Sequence, residues 1–190
     1  MDIIENNDIC VSVENGVIVE LFNKNDTSGT NYVSSRGNLG TVGYTLVSDD
    51  ITKMKDDVLD TPYACRRNSY SRMERTDGII CAFDDENYIE TKYYFDSELV
   101  IETKCQNRDI SQFALCFDFN FMGYKGTEYK NQLLPTSPYT SEDGNFTYCI
   151  MTIPSGGFMA LVSESRCEGW KIDYRWQHYI DSFQVIADFD

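Results

Sequence analysis

An all-β fold, an antiparallel β-sandwich of about ten strands with at most one short helix, is what this sequence predicts, and three observations carry it. Apolar residues recur at every second position over most of the chain, the signature of strands buried on one face. Asn15-Gly16 and Asp77-Gly78 supply the left-handed residue pairs that two-residue hairpins favour. In SQFALCFDFNFMG, Phe113, Leu115, Phe117, Phe119 and Phe121 hold every odd position, opposite Gln112, Ala114, Cys116, Asp118 and Asn120. That clean alternation belongs to antiparallel sheets, because parallel sheets buried on both faces read as continuous apolar runs.

Taken in chain order, Ile9, Val11 and Val13 face one way and Cys10, Ser12 and Glu14 the other. Asn15-Gly16 then turns the chain, and Val17, Val19 and Leu21 resume the pattern, so the opening is a hairpin. Gly37 to Gly43 spells G-x-x-G-x-x-G, which lacks the dinucleotide-binding order and reads as a glycine-rich loop or a bulged strand. SDDITKMKDDVLD is the one helical pattern, with Ile51, Met54, Val58 and Leu59 on one face and Ser48 or Asp49 available as a cap. Strands follow in GIICAFDD, ENYIETKYYF, ELVIETKC, NFTYCIMTI, GFMALVSES and SFQVIADFD, bounded by turn residues such as Asp143-Gly144-Asn145 and Ser155-Gly156-Gly157. The stretches from Tyr63 to Thr76 and from Gly123 to Glu142 read as long loops.

Length and composition are consistent with one domain spanning 1–190: 190 residues, 42% hydrophobic and 14% aromatic, can build one sizeable core. SFQVIADFD alternates up to the last residue without a polar tail, and we expect this domain to be the N-terminal part of a longer chain. The excess of 31 acidic over 16 basic residues, a formal charge of -15, repels phosphate backbones and anionic lipid, which argues against nucleic-acid and membrane partners. No basic segment followed by an apolar run opens the chain, and no apolar run approaches the roughly 18 residues that span a bilayer. The seven cysteines (Cys10, Cys65, Cys81, Cys105, Cys116, Cys149 and Cys167) include no CxxC pair and have no histidine nearby, so they read as small buried hydrophobes in a reducing, cytoplasmic setting. The sequons at Asn25 and Asn145 matter only in a secreted protein.

The opening hairpin, ICVSVENGVIVELFNKNDTSGTNYV, resembles the start of galactose-mutarotase-like (supersandwich) domains, where a strand, an Asn-Gly turn and a second strand lead into a polar Asn/Asp-rich stretch. Such domains also occur as the non-catalytic N-terminal β-sandwich of bacterial glycoside hydrolases, whose chemistry sits in a following (α/α) barrel. The resemblance covers the 25 residues from 9 to 33 and implies a sandwich fold with a carbohydrate-related role. A sugar epimerase of this type would imply two histidines and a glutamate around the anomeric centre. His178 is the single histidine of this chain, which turns the implication toward an accessory role.

The densest aromatic stretch is EGWKIDYRWQHYI. As a strand it places Trp170, Ile172, Tyr174, Trp176, His178 and Ile180 on one face, with Lys171, Asp173, Arg175, Gln177 and Tyr179 on the other. One reading makes the aromatic face core. Another leaves it half open, because buried Trp, Tyr and His need partners for their N–H and O–H groups. Flat rings flanked by polar groups suit sugar C–H faces and hydroxyls, so Trp170, Tyr174, Trp176, His178, Asp173 and Arg175 are the expected ligand-binding set, facing a carbohydrate or an adjacent catalytic domain. Catalysis by His178 would need a paired nucleophile, and no serine or cysteine is placed beside it locally.

Asp118 and Asp173 each interrupt an aromatic strand on its polar side, where a solvated face or a hydrogen bond to a loop explains them better than acid–base work does. Arg66, Arg67, Arg72 and Arg75 crowd into ten positions, which suggests a solvated loop, ion pairing with an acidic neighbouring domain, or a grip on a uronate-type sugar. No cofactor and no metal are expected. Three functional readings remain: an accessory sandwich packing on the catalytic domain of an intracellular glycoside hydrolase, a free-standing carbohydrate-binding module, or a stand-alone carbohydrate-active enzyme with an unlocated acid pair.

Overall fold

Two hairpin turns organise the N-terminal half. Asn15 and Gly16 adopt φ of 49° and 80°, and Asp77 and Gly78 adopt 49° and 81°. These left-handed pairs are the geometry that matches the right-handed twist of the strands they join. The computed structural model describes residues 1–33, 39–49, 66–119, 139–140, 147–152, 158–163, 169–173 and 183–189. Within them the chain forms β1 (Asp2–Glu5), β2 (Ile9–Glu14), β3 (Val17–Asn23), β4 (Leu39–Leu46), β5 (Arg66–Arg67), β6 (Arg72–Thr76), β7 (Ile79–Asp84) and β8 (Ile89–Asp96). It continues with β9 (Glu98–Cys105), β10 (Ile110–Phe119), β11 (Tyr139–Thr140), β12 (Thr147–Thr152), β13 (Phe158–Ser163), β14 (Gly169–Asp173) and β15 (Phe183–Phe189).

All strand pairings are antiparallel. An eight-stranded sheet runs in the order β1-β2-β3-β4-β10-β15-β14, with β5 added beside β4. A second sheet runs β6-β7-β8-β9 and a third β11-β12-β13. One core joins the first two sheets. Val11, Val13, Ile18, Leu39, Val42 and Leu115 from the large sheet cluster with Ile80, Ala82, Ile89 and Tyr93 from the four-stranded one. The hydroxyl of Tyr93, fully buried, donates to the Gly16 carbonyl at 2.7 Å, so the first hairpin turn is clasped by the opposite sheet. Met159 of β13 packs against the same core.

Among the described residues the all-β antiparallel expectation holds, with fifteen strands where about ten were expected. The surplus comes from β1, β5 and β11, whose two to four residues are too few for a period to show, and from β4 and β6, which lie in stretches read as a loop or bulged strand and as a loop. Two local readings need correction. In β3 the buried residues are Ile18 and Leu21 rather than Val17, Val19 and Leu21. A bulge against Ser12 and Val13 puts one extra residue in β3, so the parity flips at Val19. The Tyr63–Thr76 stretch is not one long loop: β5 pairs with β4, and RMERT forms β6 because it lies opposite IICAFD through the Asp77-Gly78 turn.

The glycine-rich run is a bulged strand where it is described. Gly40 has φ of 79° and coincides with the register shift between Cys116 and Phe117 of β10, the form of bulge that wants a glycine in the left-handed region. The shift keeps Leu39 and Val42 on one face, opposite Phe117 and Leu115. The helical pattern of 48–60 falls outside the described residues from 50 onward, as does most of the 123–142 loop. No helix among the described residues is long and apolar enough to cross a membrane.

Candidate functional site

The aromatic segment begins in β14, which ends the path of the large sheet. β14 pairs with β15, matching Trp170 with Ala187, Ile172 with Val185 and Asp173 with Gln184. β15 in turn matches Ala187 with Leu115 and Val185 with Phe117, and β10 matches these with Val42 and Leu39. Directly opposed residues lie on the same side of a sheet. Position 170 therefore stands in one row with Ala187, Leu115 and Val42, and position 172 in the next with Val185, Phe117 and Leu39. Val42, Leu39 and Leu115 are buried, so the face bearing Trp170 is the core-bearing face, carried out to the sheet margin. Asp173 and Lys171 are at the opposite parity, in the rows of Gln184 and Ile186.

Of the expected set, Trp170 and Asp173 are thus placed on opposite faces of the last strand. Tyr174, Arg175, Trp176 and His178 lie outside the described residues. Asp118 pairs with Gln184 in β10–β15 and so falls in the row of Asp173, two strands away. The two carboxylates that interrupt aromatic strands stand in one line across the sheet.

The arginine-rich run resolves into ion pairs made inside the chain. Arg66 grips Asp49 with two bonds, Nε to Oδ2 at 3.0 Å and Nη2 to Oδ1 at 2.7 Å. Asp49 Oδ2 also accepts the Leu46 amide at 2.9 Å, and its side chain is 5% exposed. Those hydrogen bonds, Arg66 first and the backbone amide second, hold its carboxyl at about 2 despite the opposing effect of burial. Arg72 stacks 3.6 Å from the Phe83 ring centroid and pairs with Asp85 and Glu74, and Arg75 reaches Asp2 at 4.0 Å. Partners within the domain occupy three of the four arginines, which accounts for the cluster without an acidic neighbour or an anionic sugar.

A polar knot sits where β7 turns toward β8, and sequence reading missed it. Asp84, 2% exposed, accepts the Ser69 amide at 3.3 Å, the Asn87 amide at 3.0 Å and Asn87 Nδ2 at 2.9 Å. Nearby, Asn68 mimics a strand residue, donating its amide to the Val42 carbonyl at 3.0 Å and accepting the Val42 amide on Oδ1 at 3.1 Å. Tyr70 OH, Thr91 Oγ1 and Thr103 Oγ1 form a hydroxyl chain with links of 2.6 and 3.0 Å. Burial pushes the Tyr70 and Tyr93 phenols upward. The signal for Asp84 was present in the sequence: it takes the inward parity of Ile80 and Ala82. A carboxylate at an inward strand position followed by Asp-Glu-Asn marks a side chain that caps its own turn.

The thiols of Cys10, Cys81 and Cys105 are free and half buried. Burial raises the Cys81 thiol above its ordinary range, leaving it a poor nucleophile. Among the described residues no group of three or more His, Cys, Asp or Glu side chains is arranged to hold a metal ion. No known protein family matches the chain, and no curated protein matches it in sequence.

Proposed function

We propose that this chain is a non-catalytic, carbohydrate-related β-sandwich domain of the kind that accompanies a glycoside hydrolase, acting through the margin of its large sheet. The observation that carries the reading is the position of Trp170: on the last strand of that sheet, in the row of Leu115 and Val42. A tryptophan in that row brings a flat apolar ring and an N–H that needs a partner. Sugar rings, or the surface of an adjoining catalytic domain, supply apolar area together with hydrogen-bonding groups. The residues that follow β14, Tyr174, Arg175, Trp176 and His178, extend the same chemistry, and Asp173 supplies a hydrogen-bond acceptor at its end.

Tryptophan fluorescence tests this directly, since Trp170 and Trp176 are the only tryptophans. Titration with neutral oligosaccharides should shift or quench the emission saturably, and Trp170→Phe and Trp176→Phe should each remove part of the change. A flat response to a broad panel of sugars, from a chain whose melting is cooperative, excludes sugar contact at this strand and leaves only domain packing.

A further inference from the structure

The outer face of the β6–β9 sheet carries a charge pattern that complements itself. Ile80, Ala82, Thr91 and Tyr93 point into the core, so the residues of opposite parity form the outer face. One row across the four strands reads Arg72, Phe83, Glu90, Lys104, and the next reads Glu74, Cys81, Lys92, Glu102. The signs in the first row are plus, neutral, minus, plus, and in the second minus, neutral, plus, minus. Three cations and three anions cancel here, in a chain whose formal charge is -15. This patch is one place where such an acidic protein meets itself without local repulsion.

Within one copy the charges pair along each strand: Arg72 with Glu74, Lys92 with Glu90 at 3.5 Å, and Lys104 with Glu102 at 2.8 Å. Side-chain exposures from 30% at Lys92 to 60% at Glu74 leave each group able to accept a second partner. A twofold axis running across the strands, midway between the two rows, lays row one of one copy over row two of the other. Arg72 then meets Glu74, Glu90 meets Lys92, Lys104 meets Glu102 and Phe83 meets Cys81, each contact occurring twice. The same rotation brings Tyr88, 65% exposed at one end of β8, toward Tyr94 at the other end of the strand in the second copy.

We propose that this face is a self-association surface, on which two copies stack about that twofold axis. The symmetry makes the contact isologous and closed, so it yields a dimer and no larger assembly. Four strands about 4.8 Å apart and two rows about 6.8 Å apart offer roughly 260 Å² per copy, about a third of a standard interface, so the dimer is weak and exchanges readily.

Sedimentation equilibrium of the full chain, from about 10 μM to about 1 mM at physiological salt where screening acts beyond about 8 Å, tests this. The wild type should show a monomer–dimer equilibrium. Lys92→Glu and Glu90→Lys each create two like-charge contacts per dimer and should weaken it at least about tenfold. The double variant Glu90→Lys/Lys92→Glu exchanges the two rows' signs at that position and should restore the wild-type constant. Asp96→Lys, off the two rows, should leave association within about twofold, and thermal melts of each variant separate misfolding from lost association. A chain that stays monomeric throughout overturns the proposal. So does a dimer that the single variants leave unchanged, or one that the double variant fails to restore.

Discussion

Three glycines share nearly the same φ in three surroundings, which isolates what the packing of Tyr70 against the first hairpin turn contributes. Gly16, Gly40 and Gly78 have φ of 80°, 79° and 81°. A Cβ at Gly78 meets nothing within 4 Å, and one at Gly40 meets Ile101 and Tyr93 at an ordinary 3.6 Å. A Cβ at Gly16 falls 2.2 Å from Tyr70 Cδ2 and 2.3 Å from its Cγ. Alanine in the left-handed region costs about 1–2 kcal/mol, partly offset by the stiffer unfolded chain, so Gly78→Ala and Gly40→Ala should each cost about 1 kcal/mol. Gly16→Ala adds the displacement of a packed ring by more than an ångström, since carbon contacts settle near 3.5–4.0 Å.

That displacement strains the core by about 1–3 kcal/mol and breaks a buried hydroxyl bond worth about 1–3 kcal/mol. The bond is Tyr70 to Thr91, at 2.6 Å. Urea unfolding should therefore place Gly16→Ala about 2–6 kcal/mol below Gly78→Ala at an unchanged m-value. In a Tyr70→Ala background the excess should vanish, leaving the same cost at both turns. A Gly16→Ala variant within 1 kcal/mol of Gly78→Ala in the wild-type background would refute the packing of Tyr70 against Gly16.

Other outcomes follow from the same contacts. The Asp49 carboxyl, held at about 2 in the fold against an ordinary value near 3.9, contributes stability that is complete above about pH 4 and lost as pH falls toward 2. Because Arg66 is 45% exposed, the contribution is screened to about 1–2 kcal/mol. Acid unfolding of Asp49→Asn beside wild type should show a gap that closes over that window, and a gap constant down to pH 2 contradicts the assignment. The Tyr70 and Tyr93 phenols are raised by burial, so their contribution is present below about pH 10 and fades as pH climbs through their folded values. Absorbance at the tyrosinate band should accordingly jump together with unfolding at alkaline pH, where a smooth independent titration of every tyrosine would count against their burial. Tyr93→Phe strands the Gly16 carbonyl and should cost about 1–3 kcal/mol in urea unfolding; a cost below about 0.5 kcal/mol would mean that water replaces the bond.

Strands β7, β8 and β9 of the second sheet and the long strand β10 were legible because apolar and polar residues alternate along them, which writes period two into the sequence. Turn chemistry placed both hairpins, since few residue pairs besides Asn-Gly and Asp-Gly tolerate two successive left-handed positions. What escaped is what bulges and short pairings erase. The extra residue in β3 moved the inward set from Val17 and Val19 to Ile18, a shift invisible without the partner strand. β4 is buried on both faces from Leu39 to Thr45, so its alternation is replaced by small residues, and the run reads as a glycine-rich loop or a bulged strand rather than as a plain strand. The Asp49–Arg66 and Asp84–Asn87 contacts join residues whose types gave no warning of burial, apart from the parity of Asp84. Of the aromatic segment, pairing through β15 and β10 places positions 170 and 172 in the rows of Leu115 and Phe117, and the residues from Tyr174 onward lie outside the described residues.

The proposed role is tested most directly by amide chemical-shift mapping of the isotopically labelled chain during a neutral oligosaccharide titration. The account predicts saturable shifts confined to residues 169–180 and to the facing positions 184–188 of β15, and unmoved amides across the β6–β9 sheet. Shifts centred on another surface, or none with any sugar, would contradict a carbohydrate contact at this margin.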